Sequence, residues 1–322
     1  MLKNLRIRSR IDRFREVCKM KQDSIQGVID HLHSVFLGQE DVVKSILCAF
    51  FAGGHVLLEG VPGVGKTLIA LALSQLLHLS FKRIQFTNDM LPSDVTGFHT
   101  FQSGSTKLDL MKGPIFASIV LADEINRTSP KTQSALLEAM EENQVTIDGI
   151  TYELPKPFMV IATQNPVEVA GTFPLPESQL DRFLMNVKVG YPPLEEEKEI
   201  LRKDIDHKDA LRLSPIMDKD TIMGLISGVS GVLVHKDVLD YMAAIVRTSR
   251  AHEKIELGIS PRGGLALKRA SQAWAFLHGR GYVTPGDVKK VSPMVLAHRI
   301  IIKDGDPYGI IEDVVNEVGI PV

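Results

Sequence analysis

Cysteine is scarce in this chain of 322 residues, and its two cysteines do not suggest a cross-linked or metal-binding framework. Cys18 and Cys48 lie in helix-like surroundings, without the close Cys/His spacing that a zinc site needs. Disulfide scaffolds are concentrated in small secreted proteins. We therefore expect an intracellular, reducing location, with the cytoplasm as the default.

The sequence also lacks a long hydrophobic run and an excess of charge of either sign. Its most apolar stretch, 46–58, is interrupted by Gly53, Gly54 and His55, and a membrane-spanning helix needs about 18 apolar residues. The 37 basic residues are balanced by 39 acidic ones, which argues against the broad basic surface of a nucleic-acid-binding protein. We expect no membrane span and no general nucleic-acid binding, while a local basic channel formed on assembly stays open.

The clearest positive feature is the stretch from Gly60 to Thr67, which matches the phosphate-binding pattern G-x-x-x-x-G-K-[ST]. Its glycines let backbone N–H groups turn toward a phosphate, and the predicted strand before it and helix after it are what an anion site requires. Lys66 then reaches the β- and γ-phosphates, and the Thr67 hydroxyl can bind Mg²⁺. The residues expected to hold the nucleotide are Gly60, Pro62, Gly63, Val64, Gly65, Lys66, Thr67 and Leu68.

Two acidic residues follow a second predicted strand. Asp123 and Glu124 come directly after the apolar run 119–122. Asp123 suits Mg²⁺, directly or through water, because this ion keeps several waters and takes few carboxylates. Glu124 suits the orientation and deprotonation of a water in line with the γ-phosphate. Alone, such a pair would only cap the next helix; together with the loop it predicts Mg²⁺-dependent ATP hydrolysis.

Further polar residues fit the same reaction. Asn165 follows the predicted strand 159–162, where it either holds the attacking water or simply belongs to a turn. Arg182 precedes another predicted strand, and a guanidinium there can stabilise the transferring phosphoryl group, an effect of about 10³–10⁵ in rate. Arg127 is a rival for this role, and a surface ion pair is the plain alternative for both. Arg262 lies in the first turn of a predicted helix, where a cation opposes the helix dipole and needs an anion such as phosphate.

The order of elements predicts an α/β core followed by a helical domain. From about residue 32 to 190, apolar strands alternate with helical segments, a pattern typical of a parallel sheet. The predicted strands are 55–59, 81–86, 119–122, 159–162 and 185–189. The predicted later helices are 194–204, 218–227, 235–252, 261–277 and 284–297. We divide the chain into a basic N-terminal helical segment (1–31), the ATPase core (32–190) and a helical lid (191–322).

Three segments have more than one interpretation. The residues 145–152 alternate around Asp148-Gly149, and 98–108 turn at Ser103-Gly104, so both predict hairpins. Each hairpin is either surface decoration or a projection that contacts a partner or substrate. The first 21 residues carry eight Lys or Arg, and Leu5, Ile11, Phe14 and Cys18 fall at helical spacing there. This spacing favours an amphipathic helix docked on the protein, with an organelle address or a nucleic-acid arm as alternatives.

These features together resemble the AAA+ ATPases, and within them most closely the MoxR family. The likeness is spread over most of the chain. The stretches that carry it are 61–67, 122–127, 131–140, 162–166, 171–183 and 260–262. The chain departs from the family pattern at Asn88 and Ser178, where Pro and Ala are expected, and neither should touch the phosphates.

The resemblance implies a role for each pocket residue. Lys66 and Thr67 would form Walker A, Asp123 and Glu124 would form Walker B, and Asn165 would be sensor 1. The fold implied is an α/β P-loop AAA+ core with hairpin insertions and an all-helical lid. The cofactors implied are ATP and Mg²⁺, with Thr67 and Asp123 on the metal.

The resemblance also implies partners. Arg262 would be sensor 2, and Arg182 would be an arginine finger acting on a neighbouring subunit. Gln39 belongs to a segment that lies by the adenine, and the two hairpins would face the pore of a hexameric ring. Such proteins are chaperone-like and often act with von Willebrand factor A-domain proteins in metal insertion or complex maturation. A nucleic-acid-dependent AAA+ motor and a metal-chelatase ATPase subunit are the alternatives, and a small-molecule kinase fits these residues least.

Overall fold

A central parallel sheet flanked by helices forms the body of the protein, in a computed structural model that describes residues 23–101, 108–165, 171–204 and 207–320. The strands are β1 (Val56–Glu59), β2 (Phe81–Gln85), β3 (Gly97–Phe101), β4 (Leu108–Lys112), β5 (Ile119–Asp123), β6 (Gln144–Ile147), β7 (Ile150–Glu153), β8 (Met159–Gln164), β9 (Met185–Lys188), β10 (Ile255–Leu257) and β11 (Ile301–Ile302). The helices are α1 (23–35), α2 (Glu40–Phe51), α3 (Lys66–Leu76), α4 (Pro92–Thr96), α5 (Pro130–Glu142), α6 (Glu177–Leu180), α7 (Leu194–Lys203), α8 (His207–Leu211), α9 (Lys219–Val229), α10 (Lys236–Ser249), α11 (Pro261–Leu277), α12 (Pro285–Leu296) and α13 (Pro307–Glu317).

The sheet has the strand order β2-β5-β8-β1-β9, and all neighbouring strands in it are parallel. Strand β5 is buried throughout, as are the first three residues of β1, because helices cover both faces of such a sheet. Glu59 and Gln164 are partners in the register, and Gln85 is the partner of Asp123. The carboxyl ends of four neighbouring strands therefore meet at one edge.

The predicted parallel α/β layer and the helices that follow it are confirmed. Each of the five predicted strands overlaps one strand of the sheet, and the predicted helix 261–277 coincides with α11. The sequence did not predict the small antiparallel sheet of β10 and β11 or the last helix, α13. Those strands have three and two residues, which is too short for an alternating pattern to be recognised.

Both predicted hairpins contain paired antiparallel strands. Strands β6 and β7 are joined by Asp148 and Gly149, both with positive φ (49° and 80°), the conformation that the Asn-Gly or Asp-Gly hairpin turn requires. Strands β3 and β4 pair from Gly97 opposite Lys112, and the turn predicted at 103–104 lies outside the described residues. His99 links the two hairpins, since its ring nitrogens lie 2.8 Å from Asp148 Oδ2 and 2.9 Å from Tyr152 Oη.

The hydrophobic core is divided between the two faces of the sheet. One face packs against α5 and the β6–β7 hairpin, with Leu57, Val120 and Val160 pointing toward them. On the other face, one continuous core extends from α1 to α13. The C-terminal helices therefore share a core with the sheet, and the division of the chain near residue 190 stays a prediction.

The N-terminal helix α1 contributes Ile25, Val28, Ile29 and Leu32 to this core. The basic residues 1–22 lie outside the described part of the chain, as does Cys18. Cys48 is buried in α2, where its thiol lies 3.3 Å from the Ala270 carbonyl and burial raises its pKa. Among the described helices, none combines the length and apolar character needed to cross a bilayer.

Candidate active site

The phosphate-binding loop connects β1 to α3, as predicted. Gly63 and Gly65 have φ values of 85° and 86°, which are strained for residues with a side chain. A Cβ at Gly60 would collide with the Val189 carbonyl oxygen. The loop ends at the N-terminus of α3, where free N–H groups and the helix dipole favour an anion.

The loop borders a cavity of about 570 Å³. The cavity is lined by loop residues, by the carboxyl ends of strands and by apolar residues from α1, its connection to α2, and α7. Its lining residues are Val35, Phe36, Leu37, Gln39, Pro62, Gly63, Val64, Gly65, Lys66, Thr67, Leu68, Arg83, Gln85, Asp123, Glu124, Asn165, Pro192 and Ile200. The structure thus brings together most of the residues predicted to hold the nucleotide and the metal, and the phosphate loop lies within reach of an apolar wall.

Two predicted residues are held by backbone carbonyls. Gln39 donates from Nε2 to the Gly190 carbonyl at 2.9 Å, so it joins the start of α2 to the segment after β9. Lys66 donates from Nζ to the Gly60 carbonyl at 2.5 Å. Burial lowers the pKa of Lys66, and the negative charges of Asp123 and Glu124 oppose this shift. The lysine is therefore held inside the loop, beside two acids.

Asp123 is fixed by hydrogen bonds to both carboxylate oxygens. The Thr163 hydroxyl donates to Oδ1 at 2.6 Å. The Arg83 guanidinium donates to Oδ2 from Nη2 at 2.6 Å and from Nε at 3.2 Å. Only 12% of the Asp123 side chain is exposed, so an arginine and a threonine compensate the burial of this charge.

Glu124 adopts a left-handed backbone conformation with φ of 57°, which is uncommon for a residue with a long side chain. Its N–H donates to Thr163 Oγ1 at 2.9 Å. Its Oε2 atom accepts hydrogen bonds from Gln85 Nε2 at 2.8 Å and from Arg127 Nη1 at 2.9 Å. Arg127, the rival for the arginine role, is thus a direct partner of the predicted base.

Sequence reasoning missed three residues of the site: Arg83, Gln85 and Thr163. Arg83 and Gln85 flank the buried Ile84 on β2, so strand alternation puts them on one face. That alternation was the available signal, and only the strand order places β2 beside the strand that ends in two acids. Thr163 belongs to the run before Asn165, and only the register of β8 beside β5 places its hydroxyl between Asp123 and Glu124.

Arg182 and Arg262 are not among the described residues that line the cavity, and the structure places them together elsewhere. Glu141 bridges them, with Oε2 lying 3.2 Å from Arg182 Nε and Oε1 lying 3.0 Å from Arg262 Nη1. Arg262 Nε also lies 3.5 Å from Asp181 Oδ2. Arg182 precedes the amino end of β9, which lies at the edge of the sheet opposite the phosphate loop.

A buried arginine supports this pair. Arg299, with 3% of its side chain exposed, donates from Nε to Asp181 Oδ1 at 2.6 Å and from Nη2 to the Phe183 carbonyl at 2.6 Å. Burial lowers its pKa to about 10, and the charge of Asp181 opposes this shift. We call Glu141, Asp181, Arg182, Arg262 and Arg299 the arginine cluster.

Comparisons with known proteins bear on the fold and the family of this chain. Residues 55–185 match the family described as ATPase family associated with various cellular activities (AAA), and residues 247–318 match the AAA lid domain. The chain is 45% identical over 300 residues to protein YeaC of Bacillus subtilis, which covers 91% of this chain and 94% of that protein. It is 39% identical over 289 residues to the chaperone MoxR1 of Mycobacterium tuberculosis, covering 87% and 76% of the two chains.

Two further relatives cover most of the chain. Protein MoxR of Methylorubrum extorquens is 31% identical over 291 residues, which are 83% of this chain and 84% of that protein. The crystal structure of a candidate ATPase from Cytophaga hutchinsonii superposes with a TM-score of 0.87 at 37% identity. That alignment covers 95% of this chain and 98% of the other.

Proposed function

Because this chain belongs to the MoxR family of AAA+ ATPases, we propose that it hydrolyses ATP with Mg²⁺ in a homo-oligomeric ring. The energy would drive chaperone-like remodelling or maturation of a protein client. The observation that carries the proposal is one cavity lined by Lys66, Thr67, Asp123, Glu124 and Asn165. These residue types supply phosphate binding, metal oxygen ligands, a base and an amide for a water.

The chemistry assigned to each group follows from its position. Lys66 binds the β- and γ-phosphates, and Asn165 orients the attacking water. Glu124 accepts the proton of this water after its carboxylate separates from Gln85 and Arg127. The hydroxyl of Thr67 and the buried carboxylate of Asp123 are the hard oxygen ligands that suit Mg²⁺. When bound there, the ion neutralises charge on the phosphate oxygens.

The arginine cluster supports a shared active site. Arg182 and Arg262 lie side by side with 28% and 47% of their side chains exposed, at the edge of the sheet opposite the cavity. Two partly exposed guanidinium groups side by side are suited to an anion that comes from outside the chain. We propose that this anion is the γ-phosphate bound to a neighbouring subunit, most simply within a hexamer.

The hairpins support a protein client. Two of the three cross-strand pairs of the β3–β4 hairpin in which both residues are exposed are apolar, Phe98 with Met111 and Phe101 with Leu108, and the third is Thr100 with Asp109. Apolar projections of this kind are suited to contact with a polypeptide. MoxR1, a relative, is named as a chaperone. Metal or cofactor insertion as the outcome, and a von Willebrand factor A-domain partner, belong to this proposal as specific forms of it.

The direct test is the substitution Glu124→Gln, which keeps the side-chain shape and removes the base. We expect steady-state ATP hydrolysis to fall by about 10²–10⁴-fold, while a fluorescent ATP analogue still binds. The control is Glu312→Gln, which makes the same change at an exposed position of α13. Captured protein in a pull-down of the ATP-bound variant would identify the client. Unchanged hydrolysis would contradict the assigned base, and recovery of nucleic acid alone would contradict the client class.

A further inference from the structure

Arg83 is a positively charged residue that lines the cavity. It belongs neither to the phosphate loop nor to the acidic pair, and the proposed function gives it no role. It lies on β2, beside β5, and its guanidinium reaches across the edge of the sheet to Asp123. Nη2 and Nε donate to one oxygen atom, Asp123 Oδ2, at 2.6 and 3.2 Å. Nη2 also donates to Gln85 Oε1 at 2.6 Å. The guanidinium is thus attached to the carboxylate that the proposed function gives to the metal.

This contact leaves neither oxygen of Asp123 without a partner. Thr163 donates to Oδ1 and Arg83 to Oδ2. A divalent cation that uses Asp123, directly or through a bound water, must share or displace these donors. The hydroxyl of Thr163 is a neutral donor, whereas the guanidinium is a positive charge that a second cation at the same carboxylate would meet. Arg83 is therefore the donor that opposes a metal.

Arg83 is also able to leave. About half of its side chain, 47%, is exposed, and it borders the same cavity as Lys66 and the phosphate loop. A long, flexible side chain at the rim of the cavity can turn from Asp123 to the phosphate groups of a nucleotide once the nucleotide is bound. The exchange would separate one ion pair, Arg83 with Asp123, and leave each group facing a new partner of opposite charge.

We propose that Arg83 is a resident counter-cation of Asp123, which competes with Mg²⁺ for this carboxylate and so raises the Mg²⁺ concentration needed for nucleotide to bind. The inference rests on the proposed function in one respect, the use of Asp123 by the metal. It gives Arg83 a function, because this residue of β2 then determines the Mg²⁺ concentration that the site requires.

The chain offers a matched control on the same strand. Lys82 precedes Arg83, is exposed, and is not among the described residues that line the cavity. Lys82→Gln therefore removes one positive charge from β2 without touching Asp123, and Arg83→Gln removes the same charge together with the contact. Arg83→Lys keeps the charge but loses the planar fork that gives two donors to one carboxylate. Both positions are exposed, so all three variants should fold.

The experiment measures binding, not turnover. The full chain is titrated with a fluorescent, non-hydrolysable ATP analogue at Mg²⁺ concentrations from chelated to millimolar, and the Mg²⁺ concentration giving half of the metal-dependent gain in binding is determined. We expect this midpoint to fall by about tenfold in Arg83→Gln, the scale of one charge-assisted hydrogen bond. Lys82→Gln should leave it unchanged, and Arg83→Lys should lie between Arg83→Gln and the unaltered chain.

The outcomes separate the inference from the proposed function. An unchanged or higher midpoint in Arg83→Gln, with normal Mg²⁺ dependence in the unaltered chain, would overturn the competition while leaving the ATPase proposal intact. An equal fall of the Mg²⁺ midpoint in Lys82→Gln would show that the effect comes from the net charge of β2, and would also overturn the competition. Nucleotide binding that is independent of Mg²⁺ in the unaltered chain would contradict the metal assignment of Asp123, and the inference with it.

Discussion

The nucleotide cavity and the arginine cluster both pair arginines with acids of the same chain, but in different arrangements. In the cavity, two acids are each paired with an arginine, Asp123 with Arg83 and Glu124 with Arg127. In the cluster, the arginines are paired with acids that they share, Glu141 and Asp181. In both regions these charged side chains are thus paired within the chain, but the acids of the cavity lie beside the phosphate loop, whereas Arg182 and Arg262 are not among the described residues that line the cavity. Under the proposed function, the two regions are the two halves of one reaction centre, at opposite edges of the sheet.

The two regions differ in how they are supported. The cavity is built from consecutive loop residues and the ends of parallel strands, and apolar residues of α1, of its connection to α2 and of α7 complete its lining. The cluster depends on Arg299, which follows α12 and binds the carbonyls and the carboxylate of segment 181–184. Arg262, in the first turn of α11, and Arg299, after α12, both contact Asp181. Two elements of the C-terminal helical region therefore contact this residue. The position of those helices and the presentation of Arg182 are therefore coupled.

The largest expected effect comes from removing Arg182. We expect Arg182→Ala to lower the kcat of the assembled protein by about 10³-fold or more, the lower end of the effect of an arginine finger. Binding of a fluorescent nucleotide should stay within about twofold, because Arg182 is not among the described residues that line the cavity. The control is Arg202→Ala, at a surface arginine paired with Glu199. Normal turnover in an assembled Arg182→Ala variant would show that the arginine cluster takes no part in ATP hydrolysis.

The next effect concerns the support of the cluster. Arg299→Met leaves Asp181 without its buried partner and several carbonyls without a donor, so we expect the free energy of unfolding to fall by about 3–5 kcal/mol. Urea denaturation measures this loss. Arg247→Met, at an exposed position of α10, should change it by less than about 0.5 kcal/mol. A loss no larger than that of the control would mean that Arg299 supports neither Asp181 nor the segment before β9.

The smallest effect concerns pH and the sheet that separates the two regions. His55 is buried between Met140 and Val160, and burial lowers its pKa to about 4, opposed by the Met140 carbonyl. The unfolded chain, with a histidine pKa near 6.5, binds the proton first as the pH falls. His55 therefore stabilises the fold above about pH 6.5, and this contribution, at most about 3 kcal/mol, is lost toward pH 4.

A histidine substitution isolates this contribution. We expect His55→Gln, measured by urea denaturation between pH 7 and 4.5, to show a shallower fall in stability, with a slope smaller by up to one proton. His31→Gln, at an exposed position of α1, should keep the slope of the unaltered chain. An unchanged slope in His55→Gln would show that the buried ring is not the group that titrates.

The sequence predicted the cavity better than the cluster, for a physical reason. The phosphate loop, Asp123, Glu124 and Asn165 lie at strand ends, and a parallel sheet brings such ends together whatever the side chains do. The pairing of Arg182 with Arg262 depends on Glu141, which is far from both along the chain, and on no repeating pattern. The contact of Arg83 with Asp123 likewise depends on strand order, which places β2 beside β5.

Local rules also explain what was found and missed in the fold. The hairpin at Asp148-Gly149 was predictable because the turn needs two residues that tolerate positive φ. Helix α13 begins at a capping residue, Asp306, followed by Pro307, a recognisable start signal that the sequence reading did not use. The pairing of Ile255 with Ile302 is a long-range contact between very short strands, and no repeating pattern in the sequence predicts it.

The most direct test of a reaction centre shared between subunits is a mixing experiment. Lys66→Ala keeps the arginine cluster but loses phosphate binding, and Arg182→Ala keeps the cavity but loses the arginine. Neither variant should hydrolyse ATP alone. Mixed in equal amounts and allowed to exchange subunits, they should recover a substantial fraction of the hydrolysis of the unaltered protein, because intact cavities then face intact arginines. Subunit exchange without any recovery of hydrolysis would contradict the account.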